Sequence, residues 1–121
     1  MTDPDGSTIA VVDDDPDVLD SLKFLLEVAG HRVTTYGSAV EFLAAGAPRP
    51  ACLILDHHMP QMTGLELVGR LRRDGTRIPT LLITGSPAPS ILARAAQLGV
   101  ERVLEKPPAE RELLSFIEAY R

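Results

Sequence analysis

Short uninterrupted apolar runs alternate along this chain with longer stretches in which apolar residues recur every three or four positions. The runs cover Ile9 to Val12, Arg32 to Tyr36, Ala51 to Leu55, Pro79 to Thr84 and Arg102 to Leu104. In three of them (Ile9-Ala10-Val11-Val12, Cys52-Leu53-Ile54-Leu55 and Leu81-Leu82-Ile83) the apolar residues are consecutive. Successive strand side chains point to opposite faces, so such runs predict strands buried on both sides of a parallel sheet. The second run alternates and reads as an edge strand.

The stretches between read as helices with legible ends. Asp15 is placed as an N-cap and Pro16 as the first helical residue; Val18, Leu22, Leu25, Leu26 and Ala29 form one stripe, and Gly30 stops it. Ser38 and Glu41 have capping-box spacing and open a short helix that Gly46 ends. Leu65, Val68 and Leu71 mark a third helix closing near Gly75; Ile91, Leu92, Ala95 and Leu98 mark a fourth ended by Gly99. Leu113, Phe116, Ile117 and Tyr120 mark the last. Strand-helix alternation repeated five times implies parallel strands joined by right-handed crossovers, hence a doubly wound α/β sandwich of three layers.

Composition narrows the class. A chain of 121 residues suits one domain, and 45% hydrophobic content excludes a disordered chain. Residues 9–121 are expected to form that domain behind a flexible leader over 1–8, with no second output module. Twelve Lys and Arg against 17 Asp and Glu give a formal charge of -5, which argues against non-specific binding to nucleic acid or to an anionic membrane surface. No apolar run approaches the roughly 18 residues that cross a bilayer, and the polar, acidic start is no signal peptide. Cys52 is the only cysteine, in keeping with a reducing, cytoplasmic setting. Aromatic residues are scarce, at 4%.

In doubly wound folds polar chemistry gathers at the carboxyl edge of the strands. Asp13, Asp14 and Asp15 follow the first run, Asp56 the third, Thr84 the fourth, and Glu105 and Lys106 the fifth. Carboxylates sharing one crevice repel unless a cation neutralises them, and an all-oxygen set suits a hard ion such as Mg2+. Mg2+ typically takes one or two carboxylates plus phosphate oxygens, so the inventory suits phosphoryl transfer. Asp56, alone at the central strand end, is the candidate nucleophile.

Four segments together resemble a response-regulator receiver domain of the CheY-like superfamily. They are Val11-Val12-Asp13-Asp14-Asp15-Pro16, Leu55-Asp56-His57-His58-Met59-Pro60-Gln61-Met62-Thr63-Gly64, Leu82-Ile83-Thr84-Gly85 and Glu105-Lys106-Pro107. Their key residues are separated by 43, 28 and 22 positions (13 to 56, 56 to 84, 84 to 106). The Thr84-Gly85 and Glu105-Lys106-Pro107 variants are similar to FixJ-type receivers. The resemblance implies a flavodoxin-like strand order 2-1-3-4-5. It implies that Asp56 accepts a phosphoryl group from a histidine kinase or phosphotransfer protein, the domain catalysing only its own phosphorylation and dephosphorylation. It further implies that Asp14, Asp56 and the His58 carbonyl hold Mg2+, with Asp13 acting through water. Lys106 is to pair with Asp56 or a phosphoryl oxygen, Thr84 to offer its hydroxyl, and Lys106-Pro107 to be cis. Dimerisation through the fourth helix, fifth strand and fifth helix is implied too.

Plainer readings stand beside these. Asp15 and Asp17 are expected to act only as cap and dipole partner, Cys52 as a small core residue, and Glu105 as a solvated side chain. His57-His58 is no transition-metal pair, since adjacent side chains point apart; His58 is expected to line the phosphorylation pocket. Gly64 and Pro60 set the turn after Asp56. Two departures from the receiver pattern matter: Val103 stands where a switch aromatic is usual, so switching is expected to proceed through Thr84 and the loop Gly85 to Ser90, and Pro108 replaces a usual Phe and is expected to loosen packing under the last helix. The competing readings are a phosphorylation-independent binding module and a haloacid-dehalogenase-type phosphohydrolase with nucleophile Asp13, acid/base Asp15, Thr84 and Lys106.

Overall fold

The computed structural model describes residues 8–46 and 49–120. Five strands, β1 (Thr8–Val12), β2 (Arg32–Tyr36), β3 (Cys52–Asp56), β4 (Thr80–Thr84) and β5 (Arg102–Glu105), pair in parallel in the order β2-β1-β3-β4-β5. Between and after them run α1 (Pro16–Val28), α2 (Ala39–Ala44), α3 (Gly64–Arg73), α4 (Pro89–Leu98) and α5 (Glu110–Tyr120). This is the flavodoxin-like order expected, with the alternating β2 at one edge. Thr8, assigned to the leader from sequence, pairs with Arg32 and opens β1; the rest of that leader, residues 1–7, lies outside the described residues.

The two-residue period of the strands divides the core between the sheet's faces. Ala10, Val12, Leu53, Leu55 and Leu82 pack against α2, α3 and α4, where Leu67, Val68, Leu71 and Ala95 are buried. Their neighbours Ile9, Val11, Cys52, Ile54, Leu81 and Ile83 pack on the other face against Leu22 and Leu26 of α1 and Leu113, Phe116 and Ile117 of α5. Burial on both faces explains why the three central strands are apolar at consecutive positions.

The helix ends hold two surprises. Ser38 caps α2 by accepting from the Glu41 N–H, but the Glu41 carboxylate accepts from Gly37 N–H rather than from Ser38, so the box is only half formed. The complete capping box belongs to α3: Thr63 Oγ1 accepts from Glu66 N–H and Glu66 Oε1 from Thr63 N–H. The buried helix faces are narrower than the apolar stripes, since Ala29 lies beyond α1 and Leu92 of α4 is 45% exposed.

Candidate functional site

Register brings the strand-end residues together. Val12 pairs with Leu55, so Asp13 and Asp56 emerge side by side from adjacent strands; Asp56 pairs with Ile83, which sets Thr84 one step further; Thr84 pairs with Glu105, and Lys106 follows. Asp13 and Asp56 are buried, at 4% and 2% exposure, whereas Asp14 is exposed. One oxygen from each of Asp13, Asp14 and Asp56 lies within 4.8 Å of the others.

The run of aspartates divides its labour. Asp13 Oδ1 accepts from Asp15 N–H at 2.9 Å, and Asp13 N–H donates to Tyr36 O at 3.1 Å, fixing the start of the turn. Asp15 turns its own carboxylate to Asp17 N–H and caps α1, as expected. Burial pushes the Asp13 carboxyl up to about 6; the Asp15 N–H and the Lys106 charge oppose this, and the charges of Asp56 and Asp14 add to it.

Lys106 Nζ stands 2.8 Å from Asp56 Oδ1. Partial burial disfavours its charge, yet the contact with Asp56 and the charges of Asp56, Asp13 and Asp14 prevail and hold its ammonium above the usual lysine range. Beyond this ion contact, neither buried oxygen of Asp56 has a hydrogen-bond partner among the described residues. A buried carboxylate without such bonds is costly, and a single ammonium faces three carboxylates. The donor set is all oxygen, crowded and under-neutralised, which fits a divalent hard cation.

The loop after β3 is shaped by one close approach and one strained residue. A Cβ on Gly64 would lie 2.6 Å from Asp56 O, 2.8 Å from Leu82 Cδ1 and 3.0 Å from His57 Cα, so glycine is required there for space. Gln61 adopts φ 72°, an uncommon region for a side chain of its size. The two histidines part company. His57 Nδ1 accepts from Leu65 N–H at 3.4 Å, and burial, then the neighbouring His58, lower its basicity against the charges of Asp56 and Glu66. His58 lies at the surface and directs Nε2 to Thr84 Oγ1 at 3.0 Å.

Thr84 is fully buried. Its Oγ1 accepts from Ser86 N–H at 3.2 Å, and its carbonyl accepts from Lys106 N–H at 2.9 Å. Lys106–Pro107 is cis. The His58–Thr84 contact was not found from sequence: the two residues are 26 positions apart, and only the β3–β4 register, not local pattern, could have suggested it.

Other candidates lie apart. Glu105 is exposed, and Cys52, buried at the far end of β3 from Asp56, has its thiol pushed up to about 12 by burial. Val103 is half-buried and packs against the α3–α4 side of the core. Pro108 lines an open groove of about 770 Å³ with Leu22, Phe24, Leu25 and Leu113.

Comparison with known proteins agrees in sequence and in structure. The family model described as the response regulator receiver domain matches residues 9–118. The chain is 36% identical over 117 residues to the transcriptional regulatory protein FixJ of Azorhizobium caulinodans, covering 96% of this chain and 56% of that protein. Chemotaxis protein CheY4 of Vibrio cholerae superposes with TM-score 0.86 at 28% identity, over 95% of this chain and 98% of that one. Full-length FixJ from B. japonicum does so with TM-score 0.84 at 36% identity, over 93% of this chain and 56% of that one. The chain thus spans about half the length of the FixJ proteins it matches.

Proposed function

The chain belongs to the response regulator receiver family, and on that premise we propose that Asp56 is the phosphoacceptor of a two-component receiver. The carrying observation is the state of Asp56 itself: 2% exposed, 2.8 Å from Lys106, beside two further carboxylates, and with no hydrogen-bond partner among the described residues beyond that ion contact. Asp56 attacks the phosphorus of a partner's phosphohistidine; the Asp56 oxygen–phosphorus bond forms as the partner's nitrogen–phosphorus bond breaks, and the departing imidazole keeps the electron pair. Asp14, Asp56 and the His58 carbonyl would hold Mg2+, with Asp13 acting through water; bound there, the ion would supply positive charge against the phosphoryl oxygens. Lys106, kept cationic by its acidic neighbours, releases Asp56 and pairs with a phosphoryl oxygen. Thr84 offers its hydroxyl to the same group.

The partner is a sensor histidine kinase or phosphotransfer protein. The groove beside Asp13 and Lys106 supports this, with Phe24 of α1 standing 72% exposed at its rim. With Val103 in place of an aromatic ring, the change at Asp56 passes outward through Thr84 and the loop 85–90. Homodimerisation through α4, β5 and α5, control of an output region elsewhere in a longer protein, and a cytoplasmic setting complete the reading; no helix among the described residues is long and apolar enough to cross a membrane.

Incubation with acetyl phosphate and Mg2+, followed by intact mass, tests the proposal. Wild type gains one phosphoryl group and Asp56→Asn gains none. Loss of the adduct with Asp13→Asn alone, together with rapid turnover of small phosphomonoesters, would instead favour a hydrolase; the Asp15 carboxylate, turned to Asp17 N–H as a helix cap, speaks against that.

A further inference from the structure

The Thr84 hydroxyl has one proton to give and is already engaged from two sides. Ser86 N–H donates to it at 3.2 Å, His58 Nε2 lies 3.0 Å away, and Ser86 O, a second acceptor among the described residues, is at 3.4 Å. With its hydrogen on Nδ1 the ring accepts from the Thr84 hydroxyl at the shorter distance; with its hydrogen on Nε2 it would donate instead, and the hydroxyl proton would turn to Ser86 O. The two partners differ in what separation costs them. His58 is exposed, and water replaces its lost bond. Thr84 is fully buried, so a hydroxyl leaving His58 falls back on the longer contact to Ser86 O unless a better acceptor arrives.

Resting on Asp56 as the phosphoacceptor, we propose that the His58 side chain is a positioning residue that latches Thr84 in the unphosphorylated state, competing with the phosphoryl group for the same hydroxyl proton. The latch sets a threshold for switching: a phosphoryl oxygen must outbid an imidazole nitrogen before Thr84 and the loop 85–90 respond. With Val103 leaving no aromatic ring to share the transition, this exchange of partners is the local event that separates the two states. The Thr84 contact uses the His58 ring alone, so side-chain variants leave its backbone carbonyl in place.

The test is the affinity of the Mg2+-loaded protein for beryllium fluoride, a mimic of the acyl phosphate, followed by the Thr84 amide and methyl resonances. His58→Phe keeps a ring but has no nitrogen, and His58→Gln restores an acceptor. His58→Phe is expected to bind the mimic about three- to tenfold more tightly, the range commanded by one net hydrogen bond, and His58→Gln to return toward wild type. In a Thr84→Ala background His58→Phe should change nothing. A second readout needs neither metal nor mimic: Thr84 hydroxyl exchange with water should quicken in His58→Phe, and in His58→Ala should the Phe variant misfold. Unchanged or weaker mimic binding by His58→Phe, an effect that persists without the Thr84 hydroxyl, or unchanged hydroxyl exchange would overturn the latch alone. If wild type takes up neither the mimic nor a phosphoryl group from acetyl phosphate, the phosphoacceptor reading falls and the latch falls with it.

Discussion

The two ends of β3 are four residues apart, equally hidden from water, and behave differently. Cys52 and Asp56 are 0% and 2% exposed on the same strand. Cys52 pairs with Ile9 and belongs to an apolar cluster that includes Val33 and Ile54, and burial alone decides its chemistry by pushing the thiol up to about 12. Around Asp56 stand Asp13, Asp14 and Lys106. Burial raises the pKa of Asp13 there as it does that of Cys52, but at this end it makes charges act on one another. On the proposed reading, reactivity comes from convergence of charge at the carboxyl edge of the sheet, while the apolar end is core that anchors the strand.

If that division is right, damage at the apolar end should cost stability and damage at the edge should cost function. The largest expected effect is Phe116→Ala. This ring is fully buried beneath the sheet, and its removal should cost about 3 to 5 kcal/mol in urea unfolding. Phosphate uptake per folded molecule should stay near wild type; a large loss of uptake would break the comparison.

Asp13→Asn should act in the opposite direction. The folded carboxyl titrates at about 6 against an ordinary 3.8, so the folded state binds this proton more tightly than the unfolded chain. Its contribution to stability is therefore favourable at low pH and is lost as pH rises through the window from about 4 to 6. Without Mg2+ at pH 7, Asp13→Asn should be the more stable protein by roughly 1 to 3 kcal/mol, the gap shrinking as Mg2+ is added. A variant less stable than wild type throughout would show that this carboxylate is already well compensated.

Gly64→Ala probes the seam between the two ends, since its Cβ would press on the Asp56 carbonyl and on Leu82. A loss of about 1 to 3 kcal/mol is expected, with phosphorylation impaired as well; loss of stability without loss of phosphorylation would place the seam outside the site. The smallest effect is expected at Cys52. With its thiol near 12, labelling by an alkylating reagent at pH 8 should proceed only as fast as the protein opens. Prompt labelling of the native protein would mean that the apolar end is accessible after all.

Much of this was legible because local and global requirements coincide. Three consecutive apolar runs demand a sheet covered on both faces, and parallel strands bring Asp13, Asp56, Thr84 and Lys106 to one edge whatever the loops do. Caps were less legible: the spacing of Ser38 and Glu41 matched a box, yet Glu41 reaches Gly37 instead, while Thr63 and Glu66 close a full box. Leu92 looked like core because it is apolar, but the α4 face toward the sheet is taken by Ile91, Ala95 and Leu98, leaving Leu92 outside. The meeting of His58 with Thr84 depends on the path of a loop through Gln61 at positive φ and Gly64 pressed against Asp56. No local pattern encodes that path.

The central claim concerns one carboxylate, and locating the phosphoryl group tests it most directly. After phosphorylation with acetyl phosphate and Mg2+, borohydride reduces an aspartyl phosphate to homoserine, and peptide sequencing by mass identifies the residue converted. The account expects conversion at Asp56, dependent on Mg2+ and absent at Asp13, Asp14 and Asp15. Conversion at Asp13, or none anywhere in a protein that has taken up phosphate, would contradict it.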